Sequence, residues 1–137
     1  MHNFGYCIWL VPEEDNWDLP SKGFPTHITI FKHLSYFDAI RLFLSLSTKS
    51  IVVERSIDPI QTSEGGFHAL QYPVVYSKLN KDEKPTWWPS DAHISVKYQY
   101  DLEITDKHSG NLTDSCKFEK FAIMKCDGHY SKWMRLF

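Results

Sequence analysis

The chain has little of what staples or anchors a small protein. Its three cysteines, Cys7, Cys116 and Cys126, are odd in number and show no Cys-x-x-Cys spacing. That argues against a zinc ribbon or a disulfide framework and suits a reducing compartment. No apolar run approaches the roughly 20 residues of a membrane-spanning helix. Met1-His2-Asn3-Phe4 puts no basic region ahead of its short apolar run, so no secretory signal is expected. Asn111-Leu112-Thr113 has the form of a glycosylation acceptor, and without a secretory signal it reads as a loop. A net charge of −2 supplies no basic field, so long nucleic acid is not expected as the main partner. A small phosphate ligand or an RNA end needs only a local positive cleft. What is present is apolar and aromatic material, 42% and 15% of 137 residues, enough for one core and a single domain over residues 1–137.

Two stretches stand out. Pro25-Thr26-His27-Ile28-Thr29-Ile30-Phe31-Lys32 and Ala92-His93-Ile94-Ser95-Val96-Lys97-Tyr98 both read His, apolar, hydroxyl, apolar. In an extended strand alternate side chains share a face. His27 and Thr29 therefore fall on one face with Phe31, and Ile28 and Ile30 on the other. His93, Ser95 and Lys97 likewise oppose Ile94, Val96 and Tyr98, so Tyr98 reads as packing. Bare His-x-Ser/Thr occurs four times, also at His33-Leu34-Ser35 and His129-Tyr130-Ser131. Roughly one such hit is expected by chance, but about 0.1 when aliphatic residues must flank the hydroxyl, and only the His27 and His93 stretches meet that condition. A lone strand histidine is commonly structural; the matched pair is what points to chemistry.

Around the pair the pattern alternates strands and turns. Phe4 to Val11 reads as a buried strand ending at Pro12. Glu13 to Lys22 reads as a loop, in which Trp17 is either an anchor on the core or a lip of the cleft. Ser35 resembles the N-cap of a helix to about Thr48, with Asp38 at the capping-box position and Phe37, Ile40, Phe43, Leu44 and Ser47 as its apolar stripe. Ile51 to Ile57 reads as a strand and Ser63-Glu64-Gly65-Gly66 as a turn. Phe67 to Tyr76 follows as a strand, with Pro73 marking an edge or bulge. A charged, proline-bearing linker from Lys78 to Ser90 leads to the second motif. Cys116 to Cys126 alternates as a strand, and Asp127-Gly128 reads as a hairpin turn into Tyr130 to Phe137. The sum is an α+β chain of about seven strands, mostly antiparallel, with one helix.

The paired motif resembles the 2H phosphoesterase superfamily, named for two His-apolar-Thr/Ser motifs. The resemblance implies a bilobal fold with pseudo-symmetric lobes, antiparallel sheets around a central cleft and few helices. It implies a metal-independent phosphodiesterase with no cofactor. Short nucleotide substrates are expected: 2′,3′-cyclic phosphates, 2′,5′-linked oligoadenylates, cyclic oligonucleotides or RNA ends. Two histidines suit acid and base roles because an unperturbed imidazole titrates near pH 6.5. The expected roles are catalytic for His27 and His93 and phosphate-binding for Thr29 and Ser95. Lys97 either neutralises phosphate or is an ordinary solvated lysine. Phe31 is a candidate wall of the site. Trp87 and Trp88 either stack on a base or plug the core under the linker. His33 falls at the rim of the cleft or on the surface. A monomer in the cytoplasm or nucleus, neither secreted nor membrane-bound, completes the expectation.

Three other readings compete. One is a non-catalytic reader of RNA ends or nucleotides on the same fold, against which the intact His27, Thr29, His93 and Ser95 argue. Another is a metal site built on His27, His93 and a third ligand, for which no His-x-x-x-His spacing exists. The last is a general aromatic-rich interaction domain, in which replacing both motif histidines would change nothing.

Overall fold

Among the described residues, eight strands and one α-helix are arranged so that two strands from distant parts of the chain touch. The computed structural model describes residues 3–12, 17, 25–46, 50–105 and 112–136. The elements are β1 (Asn3–Pro12), β2 (Ile28–Leu34), α1 (Tyr36–Ser45), β3 (Ile51–Arg55), β4 (Ile60–Glu64), β5 (Phe67–Tyr76), β6 (His93–Tyr100), β7 (Ser115–Asp127) and β8 (Met134–Arg135), with a 3-10 turn at Tyr130–Lys132. Among the described residues the fold is thus mostly antiparallel sheet with a single α-helix, an α+β arrangement. The strand path runs β2-β1-β7-β3-β5-β4, with β6 on β5 and β8 on β7. Every pairing in it is antiparallel.

The apolar run of the first strand follows from its place. β1 lies between β2 and β7, and Cys7, Ile8, Trp9 and Leu10 are all buried. A strand covered on both faces has no solvent side to alternate toward. β5 is the hinge of the path. Its first part pairs with β4 and β6, and Val74–Tyr76 pairs with β3. Pro73 sits where the partner on that edge changes from β4 to β3, a position where a missing amide hydrogen breaks no ladder bond. The motif strands β2 and β6, on different limbs of the path, come into contact. One core cluster joins the limbs, with Ile28 and Ile94, the residues inside each His-x-hydroxyl motif, both at 0% exposure.

The helix begins as its cap dictates. Ser35 is extended, and its hydroxyl accepts the Asp38 amide at 3.1 Å. It ends at Ser45, and Leu46 closes it with its amide on the Leu42 carbonyl at 3.1 Å. The expected extension to Thr48 reaches past the described residues. The buried stripe also differs from the expected one. Ala39, Leu42, Phe43 and Leu46 face the core, while Phe37 and Leu44 are 77% and 78% exposed. Both sets fit a helical spacing, and the smaller Ala39 lets the helix approach β1 and β7.

β4 is a strand where the sequence suggested only a turn. All five of its residues are exposed, so it carries no alternation to read. It forms because Gly65 and Gly66, at φ 52° and 85°, make the left-handed turn of a tight hairpin with β5. Beyond Asp127, Gly128 turns with φ 75°, but only Met134–Arg135 pairs with β7. Trp17 is the anchor: it is fully buried, stands against Phe118, and its indole N–H donates to the Thr113 carbonyl at 2.8 Å. The linker is pinned by Asn80, whose side chain bonds both the N–H and the carbonyl of Val52. Among the described residues no helix is long and apolar enough to cross a membrane.

Candidate functional site

Both motifs open on one cleft of about 310 Å³. His27, Thr29, His93 and Ser95 all line it. The two imidazoles are held alike. His27 Nδ1 lies 2.8 Å from the carbonyl of Pro25, and His93 Nδ1 lies 2.8 Å from the carbonyl of Asp91. A carbonyl only accepts, so each Nδ1 carries the proton and donates it. That fixes the tautomer and leaves Nε2 of each ring as the exchangeable nitrogen. Their surroundings differ. His27 is 4% exposed and stacks on Trp9 at 3.4 Å between centroids and 8° between planes. His93 is half-buried.

Register explains the rest of the lining. Leu10 and Trp9 pair with Ile28 and Thr29, but Ile8 pairs with Phe31, so Ile30 is an extra residue in β2. Tyr72 and Gln71 pair with Ile94 and Ser95, but Leu70 pairs with Lys97, so Val96 is an extra residue in β6. Each motif strand thus carries a bulge directly after its hydroxyl, and a bulge reverses the alternation beyond it. Phe31 therefore turns to the core rather than the cleft, and Lys32 lines the cleft instead. Lys97 shares the face of its partner Leu70, which packs on the core, and Tyr98 lines the cleft. Simple alternation put Phe31 and Lys97 on the wrong face for this reason, and Tyr98 with them.

Trp87 and Trp88 lie outside the lining. Both pack on the core, Trp87 edge-on to Phe121 at 5.3 Å and Trp88 edge-on to Tyr76 at 5.8 Å. The aromatic wall comes from elsewhere. Phe4, Phe67, Tyr98 and Trp133 line the cleft and touch in sequence, Phe4 to Phe67 at 5.8 Å, Phe67 to Tyr98 at 5.1 Å and Tyr98 to Trp133 at 5.5 Å. Phe4 could have been read from Gly5, since a glycine inside a strand marks a bulge. Trp133 had no local signal. His33 is exposed, at φ 58°, with its ring 5.9 Å from Phe4. His68 is buried, its Nδ1 2.6 Å from the Ser63 hydroxyl. His129 caps the 3-10 turn. His2 and His108 lie outside the described residues.

Burial pushes the Tyr98 phenol well above its usual range, against a hydrogen bond with the Ser95 side chain, so it stays neutral at physiological pH. Two thiols also line the cleft, Cys7 and Cys126. They share a hydrogen bond that holds Cys7 below the usual thiol range and, with burial, pushes Cys126 above it. All three cysteines are free. Among the described residues no group of three His, Cys, Asp or Glu side chains could hold a metal ion.

Comparisons of the chain with models of protein families, with curated proteins and with solved structures return no match.

Proposed function

We propose that the cleft is the active site of a metal-independent phosphodiesterase of the 2H kind, acting on short nucleotide substrates such as 2′,3′-cyclic phosphates, 2′,5′-linked oligoadenylates or cyclic oligonucleotides. The observation that carries this reading is the convergence of two alike units. In each, a strand presents an imidazole with Nδ1–H on the carbonyl two residues back, a hydroxyl beside it, and a bulge after it. The family's bilobal layout belongs to the same proposal. The strand path supports it, because β2 and β6 end on opposite limbs yet line one cleft.

The chemistry is in-line displacement at phosphorus. One imidazole, neutral, takes a proton through Nε2 from water or from a neighbouring ribose hydroxyl. The other, protonated, gives its Nε2 proton to the leaving oxygen. Thr29 and Ser95 donate to the non-bridging oxygens, where charge persists through the transition state. Lys32 brings a positive charge to a lining that also holds Glu64 and Asp91. The open rings of Phe4, Tyr98 and Trp133, each half-buried, offer faces or edges to a base. A volume of about 310 Å³ suits a nucleotide unit rather than a long strand.

Two imidazoles in opposite protonation states give a bell-shaped pH–rate profile. The profile is measured with EDTA present, and full activity is expected. Loss of turnover on chelation, restored by added metal, would refute the metal-independent mechanism. Ligand binding without turnover would favour a nucleotide-binding module.

A further inference from the structure

One buried polar side chain in the cleft has no part in the chemistry above. Gln71 is 8% exposed and stands on the cleft face of β5, directly across from Ser95. The hydroxyl of Thr62, on the neighbouring β4, donates to Gln71 Oε1 at 3.1 Å. With Oε1 placed on the Thr62 hydroxyl, the amide nitrogen points the other way. Nε2 carries two donors, and among the described residues neither meets an acceptor within hydrogen-bond distance. A buried donor left unmade is costly, so native structures rarely keep one without a partner in water or ligand.

The geometry says which partner. Directly paired strand residues hold their Cβ atoms about 4.5–5.5 Å apart, so Nε2 reaches the region that the Ser95 hydroxyl addresses. The matching place on the other wall, across from Thr29, is filled by Trp9, whose ring is spent on His27. Directly across from the motif hydroxyl, the β5–β6 wall therefore offers an amide where the β1–β2 wall offers an aromatic ring. Two convergent donors suit an anionic oxygen, with which each hydrogen bond is charge-assisted.

We propose that Gln71 is a third phosphate-binding residue, its Nε2 donating to the non-bridging oxygen on the Ser95 side, with Thr62 as its positioning residue. The inference rests on the phosphodiesterase reading of the cleft. It adds that the reacting phosphate sits closer to the β5–β6 wall. The occupant of that corner is an oxygen acceptor bearing negative charge, and a carboxylate in its place would repel it.

The test uses the full chain and two readouts. Gln71→Met keeps the volume and removes the donors; it should lower kcat/KM roughly 10–100-fold while the melting temperature holds or rises. Gln71→Glu should lose more, and its loss should shrink as pH falls and the carboxylate protonates. Thr62→Val should lose part of the activity, and Thr62→Ser should restore it. Calorimetric titration with adenosine 3′-monophosphate reads the same residue without turnover, and Gln71→Met should weaken that binding at least tenfold. Wild-type kcat/KM and binding in Gln71→Met would overturn the assignment. A wild-type chain that binds the nucleotide but turns over nothing would sink the phosphodiesterase reading, while the titration still judges Gln71. No binding by the wild type would overturn both.

Discussion

Exchanging Lys32 for alanine tests the bulge register, and the companion Lys97→Ala makes the test a comparison. Strict alternation puts Lys97 beside the phosphate; the bulges put Lys32 there and turn Lys97 to the face of Leu70. Lys32 is exposed at the cleft wall. Its attraction for a bound phosphate is that of a solvated pair, about 0.5–1 kcal/mol, or roughly two- to fivefold in affinity. Such a term fades as the screening length falls from about 10 Å at 0.1 M salt to about 3 Å at 1 M. Initial rates on the preferred substrate at low and high salt separate the two lysines. Lys32→Ala should raise KM two- to fivefold at low salt with kcat nearly unchanged, and the difference should vanish at about 1 M salt. Lys97→Ala should leave KM at the wild-type value in both. A larger KM for Lys97→Ala than for Lys32→Ala would refute the register argument.

Two further substitutions probe the frame of the cleft. Gly5 lies at φ +67°, and a Cβ there would stand 3.3 Å from the Leu34 carbonyl oxygen. Gly5→Ala should therefore cost about 1–2 kcal/mol by denaturant unfolding, and an unchanged midpoint would mean that β1 does not need this conformation. Trp87 packs on Phe121 and the core. Trp87→Ala should cost about 2 kcal/mol of stability, less than the roughly 3–5 kcal/mol of a fully buried tryptophan. KM should stay unchanged, and a raised KM with intact stability would return Trp87 to the substrate.

Several local signals read true, and long-range ones did not. Ser35 announced a helix start because a cap is a bond between residues three apart. Ile28 and Ile94 announced the motif strands because burial on one face leaves its mark in the residues themselves. The four candidate residues His27, Thr29, His93 and Ser95, singled out from those same stretches, share one cleft. The faces of Phe31, Lys97 and Tyr98 were misread because each bulge is a property of a strand pair. Nothing in Ile30 or Val96 alone says that Ile8 or Leu70 will skip a residue. β4 was missed because it has no buried face. Gln71 was passed over because its meaning comes from Ser95 and Thr62, neither of them near it along the chain.

In the proposed mechanism His27 and His93 act as one acid–base pair on a phosphodiester. Its most direct test is chromatographic product analysis on a panel of 2′,3′-cyclic phosphates, 2′,5′-linked oligoadenylates and cyclic oligonucleotides, with EDTA present. Wild type runs beside His27→Ala and His93→Ala. Metal-independent turnover of at least one substrate class is expected, lowered about 10²–10⁴-fold or more by each single substitution. Turnover that survives both substitutions, or no turnover of any substrate by the wild type, would contradict it.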